Sequence, residues 1–319
     1  MIYNKILSIC IPTFNRASSL RVCLDNIYNQ LVDKNISNQI EIIVSDNNSD
    51  DDTEIVVKDY IKNNDNIFYY KNEKNLGFDA NVDASITKAT GIFRWILADD
   101  DYIIDGAISF IMQIIKNNNN IAFIGVCDST QSVNGDYEYF SNGSECLTKM
   151  GIFSGGVSRC IFNKNYLPLD RGNYYKINYY GIGWIHLYMA IEIVAKRKMM
   201  MVKNIFKVQE PVVARWSENG AAFYSSTNIR KIFKDSLKIG YDKTIVNNII
   251  SGLTKIMPRN LVSAKLRGLP ISWINFKILF SEFYDYPIYL IILLLIFLCP
   301  IFILKITKKL ILSTDNGVL

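Results

Sequence analysis

Residues 5 to about 125 alternate short runs of β-forming residues with longer helical stretches. Apolar runs such as KILSICIP, IEIIVSD and RWILADD are separated by segments with helical periodicity, for example SSLRVCLDNIYNQL and DTEIVVKDYIKN. This order is typical of a parallel sheet that is covered by helices on both faces. The sequence therefore predicts an α/β fold with a Rossmann-like, mostly parallel sheet.

The composition excludes several classes of protein. Half of the residues are hydrophobic, which excludes a disordered chain. The net charge is only +5, and the Lys and Arg residues are spread along the chain, so we expect no nucleic-acid partner. Six scattered cysteines without a CxxC pair argue against a zinc site or a disulfide framework, and they favour a reducing, cytosol-facing location.

Changes in composition along the chain predict four regions. An α/β domain is expected over 1–127, and its apolar start, which runs into Pro12, predicts a buried strand rather than a secretory signal. A smaller unit is expected over 128–227, after a turn-rich polar stretch. A helical region rich in basic and aromatic residues is expected over 228–286, and an apolar tail over 287–319.

The tail contains an uncharged segment at 288–304, IYLIILLLIFLCPIFIL, which is followed by Lys305, Lys308 and Lys309. As a helix it would be about 25 Å long, which is shorter than the roughly 30 Å hydrocarbon core of a bilayer. Pro300 is expected to kink it. We expect membrane association, by embedding or by lying at the interface more than by spanning; the alternative is a buried core helix.

Polar residues cluster where three of the predicted strands end, at 12–16, 46–52 and 99–101. In parallel sheets ligands bind beyond this edge, because the loops converge there and helix N-termini offer donors to anions. Asp99, Asp100 and Asp101 repel one another, and such clusters usually persist because a cation compensates them. Mg²⁺ or Mn²⁺ is the expected ion, since it prefers carboxylates together with phosphate oxygens; the alternative is a solvated turn.

The other strand ends carry residue types that suit a nucleotide. Asp46 and the amides after it can hydrogen-bond a base or a ribose, the alternative being a capping turn. Arg16 can pair with a diphosphate oxygen, unless it is an ordinary surface arginine. Gly77 permits a close backbone approach just before a predicted helix that begins with Asp79 and Asn81.

Four segments, SICIPTFNR, IIVSDNNSDDDT, NLGFDAN and LADDD, together resemble the family 2 glycosyltransferases of GT-A fold. The resemblance is strong over residues 5–105 and fades afterwards. It implies a nucleotide-sugar donor bound by the first domain, an acceptor-side second unit, a divalent metal and inversion at the anomeric carbon. The LADDD segment stands for the DxD motif of that family.

By position, the resemblance places Thr13 and Asp46 against the base, Asn48 and Asn81 near the ribose or diphosphate, and the three aspartates on the metal. Ala98 occupies the place where the commonest motif has its first aspartate, so the register stays open and Asp100 or Asp101 is expected as the direct ligand. The complete set of predicted donor-binding residues is Pro12, Thr13, Asn15, Arg16, Asp46, Asn48, Gly77, Asp79, Asn81, Asp99, Asp100 and Arg215.

An acceptor hydroxyl needs a general base to take its proton. The family commonly uses an aspartate of a Glu-Asp pair, and no such pair occurs in the corresponding segment, YYGIGWIHLYMAIEIV. His186 is the only histidine in the chain and is the first candidate, because an imidazole has a near-neutral pKa; the alternative is a packed helix histidine. Asp170 and Glu192 are weaker candidates.

These features predict a glycosyltransferase at the cytoplasmic face of the cell membrane, which adds one sugar to a lipid-linked or membrane-bound glycan such as a polyprenyl-diphosphate-linked one. A sugar-nucleotide nucleotidyltransferase is the alternative enzyme, although SICIPTFNR lacks the glycines of its usual loop. A membrane-anchored polysaccharide-binding protein without catalysis is the other alternative.

Overall fold

The structure is a computed structural model that describes residues 5–128, 131–153, 155–168, 171–207, 221–266, 268, 277 and 280–305, without the side chains of 171–174 and 221–226. The chain divides into two compact units. Unit 1 comprises Met1–Gln209 and Ile239–Tyr241, and unit 2 comprises Glu210–Lys238 and Asp242–Leu319.

Unit 1 is built on one sheet with the strand order β3-β2-β1-β4-β7-β5-β8-β6. The strands β3, β2, β1 and β4 pair parallel to one another in this order. Strand β7 runs antiparallel between β4 and β5, β8 is parallel to β5, and β6 is antiparallel to β8. The predicted α/β fold is confirmed. The strands are β1 Leu7–Thr13, β2 Ile40–Asp46, β3 Ile67–Lys71, β4 Phe93–Ile96, β5 Phe123–Val126, β6 Tyr137–Phe140, β7 Cys160–Asn163 and β8 Met199–Val202.

Helices pack on the sheet through their apolar faces. For example, Ile108, Ile111 and Ile115 on one face of α5 are buried in the same core as Ile9 and Val44 of the sheet. The helices of unit 1 are α1 Ala17–Tyr28, α2 Lys34–Ser37, α3 Thr53–Ile61, α4 Phe78–Lys88, α5 Ala107–Asn117, α6 Gly143–Met150, α7 Arg171–Asn178 and α8 Ile185–Val194.

The central strands determine where polar residues can gather. Every residue of β1 and of β2 is buried, as expected for parallel strands that are covered on both faces. Their register pairs Thr13 with Asp46, and β4 continues the same parallel arrangement on the other side of β1. The residues that follow these strands therefore converge at one edge of the sheet.

Unit 2 is helical in its described part, with α9 Ala221–Ser236, α10 Lys243–Leu266 and α11 Pro287–Leu298. Arg230 of α9 is fully buried and donates to the carbonyl oxygens of Ile250 (3.3 Å) and Glu282 (2.7 Å) and to the hydroxyl of Thr254. Its guanidinium also lies 4.2 Å from the centre of the Phe283 ring. One side chain thus ties together α9, α10 and the segment before α11.

Helix α11 packs one face on α10 and exposes the other. Leu293 lies in a buried cluster with Met257 and Leu261 of α10. Where a kink at Pro300 was expected, the helix ends instead: Cys299 is extended and α11 stops at Leu298. Within the described residues, no helix combines the length and apolarity that crossing a membrane requires. The exposed large apolar side chains of α11 are Ile288, Ile291, Ile292, Leu295 and Leu298.

Candidate active site

The three aspartates lie in a tight turn directly after β4. The amide of Asp101 donates to the carbonyl oxygen of Ala98 (3.2 Å), which closes the turn. The amide of Leu97 donates to Cys10 of β1 (2.9 Å), and that of Ala98 to the Ser158 hydroxyl (2.8 Å). The turn is therefore held from both sides at the edge of the sheet where β1, β2 and β4 end.

Asp99 joins β4 to β1. It is 3% exposed, accepts a hydrogen bond from the Thr13 hydroxyl (2.6 Å) and pairs with Arg16 (2.9 Å). Burial raises the pKa of Asp99 to about 6, against the opposing effects of Arg16 and the Thr13 hydrogen bond. The same Arg16 nitrogen lies 2.7 Å from Asp100, so one cation is shared by two adjacent carboxylates.

Asp100 and Asp101 face different surroundings. The Asp100 side chain is 48% exposed. Asp101 is half-buried and hydrogen-bonded by Ser158, and burial raises its pKa. Ser158 was not singled out from the sequence, although its hydroxyl contacts both Ala98 and Asp101. The only signal was its position in FSGGVSRC, whose short turn Val157–Arg159 precedes β7.

The carboxylates of this turn suit a hard divalent cation whose remaining ligands come from a substrate. Among the described residues no group of three or more His, Cys, Asp or Glu side chains is arranged so that it could hold a metal ion by itself. Each of the three carboxylates has a partner within the protein, but Asp99 is enclosed, whereas Asp100 is 48% exposed and Asp101 is half-buried, so Asp100 and Asp101 are the more accessible to an ion. One or two carboxylates completed by phosphate oxygens is the usual arrangement for Mg²⁺.

Asp46 is committed to the protein interior. It is fully buried, and it accepts hydrogen bonds from the amide (2.9 Å) and hydroxyl (2.5 Å) of Ser49 and from the Tyr69 hydroxyl (2.6 Å). Burial and this carboxylate together raise the pKa of Tyr69. Oδ1 therefore holds the loop after β2 and Oδ2 holds Tyr69 of β3, and these contacts do not support the expectation that Asp46 contacts the base.

The loops after β1 and β2 are joined to each other. The Asn15 amide donates to the Ser49 hydroxyl (2.8 Å), and the Asp50 amide donates to the Asn15 side chain (3.0 Å). Asn15 and Asn48 both adopt positive φ angles, of 51° and 67°, which is uncommon outside glycine and often marks functional sites. Pro12, just before this loop, is buried in β1 and serves to shape it.

Phe14 lies between these loop residues with 41% of its surface exposed. Phe14 is part of the segment SICIPTFNR, but no role was predicted for it from the sequence. An exposed aromatic ring at the edge where polar residues gather offers a face on which a nucleobase can stack. The signal available in the sequence was an aromatic residue directly after the Pro-Thr that ends a buried strand.

Asn81 of α4 is also committed within the protein. Its amide nitrogen donates to the carbonyl oxygens of Ser45 (2.9 Å) and Thr13 (3.3 Å), and its oxygen accepts from Ser45 (2.8 Å) and Asn72 (3.0 Å). It thereby ties α4 to the ends of β1 and β2, and these contacts do not support the expected place near the ribose or diphosphate. Gly77, with a φ of 84°, forms the turn that starts α4.

Asp79 is hydrogen-bonded to another part of unit 1. It is 2% exposed, and its oxygens accept hydrogen bonds from the amides of Gly181, Gly183 and Ile185 in the segment that leads into α8. Burial raises its pKa, against the effect of these amides. The predicted contact between Asp79 and the donor is thus replaced by contacts with the backbone of unit 1.

Of the predicted general bases, His186 and Glu192 lie in the described part of the chain, and neither is hydrogen-bonded to the aspartate turn. His186 is 3% exposed, neither ring nitrogen has a hydrogen-bond partner among the described residues, and burial lowers its pKa to about 3. An enclosed imidazole of this pKa is unsuited to base catalysis, which corrects that expectation. Glu192 accepts a hydrogen bond from Tyr175 (2.5 Å), and burial raises its pKa. Asp170 and Arg215 lie outside the described residues.

Comparison with known proteins agrees with this geometry. The family model described as "Glycosyl transferase family 2" matches residues 8–177. A GalNAc(5)-diNAcBac-PP-undecaprenol beta-1,3-glucosyltransferase of Campylobacter jejuni is 31% identical over 252 residues, which are 74% of this chain and 77% of that protein. The abequosyltransferase RfbV of Salmonella typhimurium is 28% identical over 213 residues, 59% of this chain and 61% of that protein.

Solved structures show the same fold. S. aureus TarS 1–349 in complex with UDP-GlcNAc has a TM-score of 0.61 at 13% identity, and covers 91% of each chain. The mannosyltransferase PcManGT of Pyrobaculum calidifontis, in complex with GDP-Man and Mn²⁺, has a TM-score of 0.57 at 13% identity, over 97% of this chain and 88% of that one. The GT-A fold implied by the sequence resemblance is confirmed. By its family match and its 31% identical relative, the chain belongs to the family 2 glycosyltransferases.

Proposed function

We propose that this glycosyltransferase moves a sugar from a nucleoside diphosphate-sugar to a hydroxyl of a glycan carried on a membrane polyprenyl diphosphate, with inversion at the anomeric carbon. The observation that carries the proposal is the shared contact of Arg16 with Asp99 and Asp100 at the edge where β1 and β4 end. The names of the Campylobacter relative, which acts on an undecaprenol-linked glycan, and of the TarS complex with UDP-GlcNAc support it.

The nucleoside is assigned to the loops after β1 and β2. Phe14 would stack on the base through its exposed ring. Asn48, which is exposed at the tip of the second loop, would hydrogen-bond the base or ribose. Asp46 and Asn81 act through the loops they hold, because their own polar atoms are already bonded. The polar atoms of Asn15 are likewise shared with Ser49 and Asp50, so it shapes the site.

The diphosphate is assigned to the aspartate turn. Arg16 would donate to a diphosphate oxygen while keeping Asp99 compensated, since a guanidinium has several donors in one plane. Asp100 and Asp101 would hold Mg²⁺ or Mn²⁺. A bound divalent ion stabilises the negative charge that develops on the departing diphosphate. The mannosyltransferase neighbour with Mn²⁺ supports this assignment.

The acceptor hydroxyl loses a proton as it attacks, and no described residue is assigned that proton. His186 is enclosed and neutral, and the carboxylate of Glu192 is bonded to Tyr175. Asp170, which lies outside the described residues, stays the candidate predicted from the sequence. Arg215 likewise stays a sequence prediction for closing over the diphosphate.

Unit 2 is proposed to contact the cytoplasmic face of the membrane, where a polyprenyl-linked acceptor is held. Its helix α11 exposes Ile291 and Leu295 on the face opposite α10, and Lys305 follows close behind. An interfacial helix buries such an apolar face at the level of the headgroups, and nearby lysines are attracted to anionic lipids. This arrangement needs no helix that spans the bilayer.

The proposal is tested by incubating the purified chain with UDP-, GDP-, dTDP- and CDP-sugars and measuring the nucleoside diphosphate released, with and without Mn²⁺. We expect slow release from one class of donor that requires the ion and is lost in Asp101→Asn. Asp105→Asn is the matched control, because the Asp105 side chain lies nearby, is 92% exposed and pairs with Lys207 (3.3 Å). Absence of release and of metal-dependent nucleotide binding would exclude the proposed reaction.

A further inference from the structure

The carboxylate of Asp79 is enclosed by the backbone of a distant segment. Its Oδ2 accepts hydrogen bonds from the amides of Gly181 (2.8 Å) and Gly183 (2.7 Å), and its Oδ1 accepts one from Ile185 (3.1 Å). More than a hundred residues of sequence separate it from these partners. Such charge-assisted hydrogen bonds are about twice as strong as neutral ones, so this contact fixes the segment firmly.

The segment is shaped to receive an anion. Gly181 and Gly183 have φ angles of 88° and 73°, which turn alternate amides toward one point. Backbone amides that converge in this way form an anion-binding concavity. Ile185 is the first residue of α8, whose N-cap residue Trp184 makes no side-chain capping bond. Asp79 therefore also serves as the capping carboxylate of α8.

Helix α4 connects this segment to the donor side of the site. Asp83, one turn after Asp79 on the same face, accepts a hydrogen bond from the Tyr180 hydroxyl (2.8 Å). Asn81, between the two aspartates, is bonded to the carbonyl oxygen of Thr13 at the end of β1. A single helix thus holds both the loops assigned to the nucleotide and the segment before α8.

The segment at 181–184 is the exposed part of this arrangement. Gly181 and Gly183 are exposed, and Trp184 is partly exposed. The Trp184 ring packs against the neutral ring of His186, with 5.4 Å between ring centres. An aromatic ring that packs against a neighbouring ring on one side presents an apolar face on the other, which suits the C–H face of a sugar.

We infer that Asp79 is a positioning residue that holds the segment 181–184, with Trp184, as the acceptor-side wall of the active site. The inference rests on the proposed function and deepens it, since it assigns a sugar-binding wall to part of a segment in which the sequence predicted only candidate bases. The inference separates donor binding from acceptor binding. The loops after β1, β2 and β4 bind the donor, and Asp79 affects the acceptor through the segment that it holds.

The test compares transfer with donor hydrolysis in Asp79→Asn. The asparagine NH₂ group faces amides that are themselves donors, so at least one of the three hydrogen bonds is lost. With the nucleotide-sugar panel and membranes of the source cells as acceptor, we expect transfer to fall about tenfold or more, the effect of one lost charge-assisted bond. Donor hydrolysis, the KM for the donor and UDP binding with Mn²⁺ should stay within about twofold, since no donor contact is removed.

A second variant changes the backbone segment that donates to Asp79, rather than Asp79 itself. Gly183→Ala places a side chain at a φ of 73° where nothing lies within 4 Å, so it strains the backbone without a clash. We expect the same split between transfer and hydrolysis. Gly135→Ala is the matched control, because Gly135 also has a φ of 73° with open space around it, and it lies before β6. Both rates should be unchanged there.

Equal losses of transfer and hydrolysis in both variants would overturn the inference, because Asp79 would then serve the fold or the donor. Unchanged transfer in both would overturn it as well. If the unaltered chain binds no nucleoside diphosphate and hydrolyses no donor, the proposed function fails and this inference fails with it; that result is seen without any variant, so the two failures are distinguishable.

Discussion

His186 provides a sharp test of the structure, because it is the only histidine in 319 residues. A single imidazole resonance can therefore be followed by NMR in the chain labelled at histidine. Burial lowers the pKa of His186 to about 3, whereas an exposed histidine titrates near 6.5. We predict that this resonance does not titrate between pH 8 and pH 5 in the folded protein.

The same burial affects stability in a definite direction. Because the unfolded chain takes up the proton near pH 6.5 and the folded chain near pH 3, the stability contributed by neutral His186 is complete above pH 6.5 and falls as the pH is lowered toward 3. At pH 5 the loss is about 2 kcal/mol, since each pH unit below 6.5 costs about 1.4 kcal/mol.

The assay is denaturant unfolding of wild type and of His186→Gln at pH 7.5 and pH 5. The glutamine variant removes the titrating group, so its free energy of unfolding should fall less than that of wild type by about 2 kcal/mol over this interval. An imidazole that titrates between pH 6 and pH 7, together with parallel stability curves, would refute the burial of His186 and return it to the list of general bases.

Two further predictions concern unit 2. Arg230→Met should lower the free energy of unfolding by about 3 kcal/mol, because the carbonyl oxygens of Ile250 and Glu282 and the hydroxyl of Thr254 each lose one donor; a change under about 1 kcal/mol in denaturant unfolding would contradict this. Leu295→Asp, at a 63% exposed position, should leave stability within about 0.5 kcal/mol and weaken sedimentation with anionic vesicles about tenfold. Val32→Asp, at an exposed position of unit 1, is its control, and equal vesicle binding by both would refute the membrane face.

The sheet and the aspartate turn were predictable from the sequence for a physical reason. Buried parallel strands are apolar throughout, and polar residues follow at their ends. The short segments IEIIVSD and RWILADD therefore indicate both the strand and the polar residues that end it. The end of α11 was also predictable from neighbouring residues, because Pro300 restricts the conformation of Cys299. Such signals need no knowledge of distant partners.

The roles of individual side chains were not predictable in this way. A carboxylate at a strand end looks the same in sequence whether it faces a ligand or a loop, and Asp46 turned inward because Ser49 and Tyr69 supply donors. The partners of Asp79 lie more than a hundred residues away. His186 has a sequence environment that suits a base, and only the packing around α8 shows that it is enclosed.

The most direct test of the proposed function is transfer itself. Purified chain, Mn²⁺ and labelled nucleotide-sugars are incubated with membranes of the source cells, and label is measured in the polyprenyl-diphosphate-linked glycan extracted into organic solvent. We predict incorporation from one nucleotide-sugar, with an inverted anomeric linkage, that is lost in Asp101→Asn and kept in Asp105→Asn. Label that appears only in free sugar, or equal incorporation by wild type and Asp101→Asn, would contradict the proposed function.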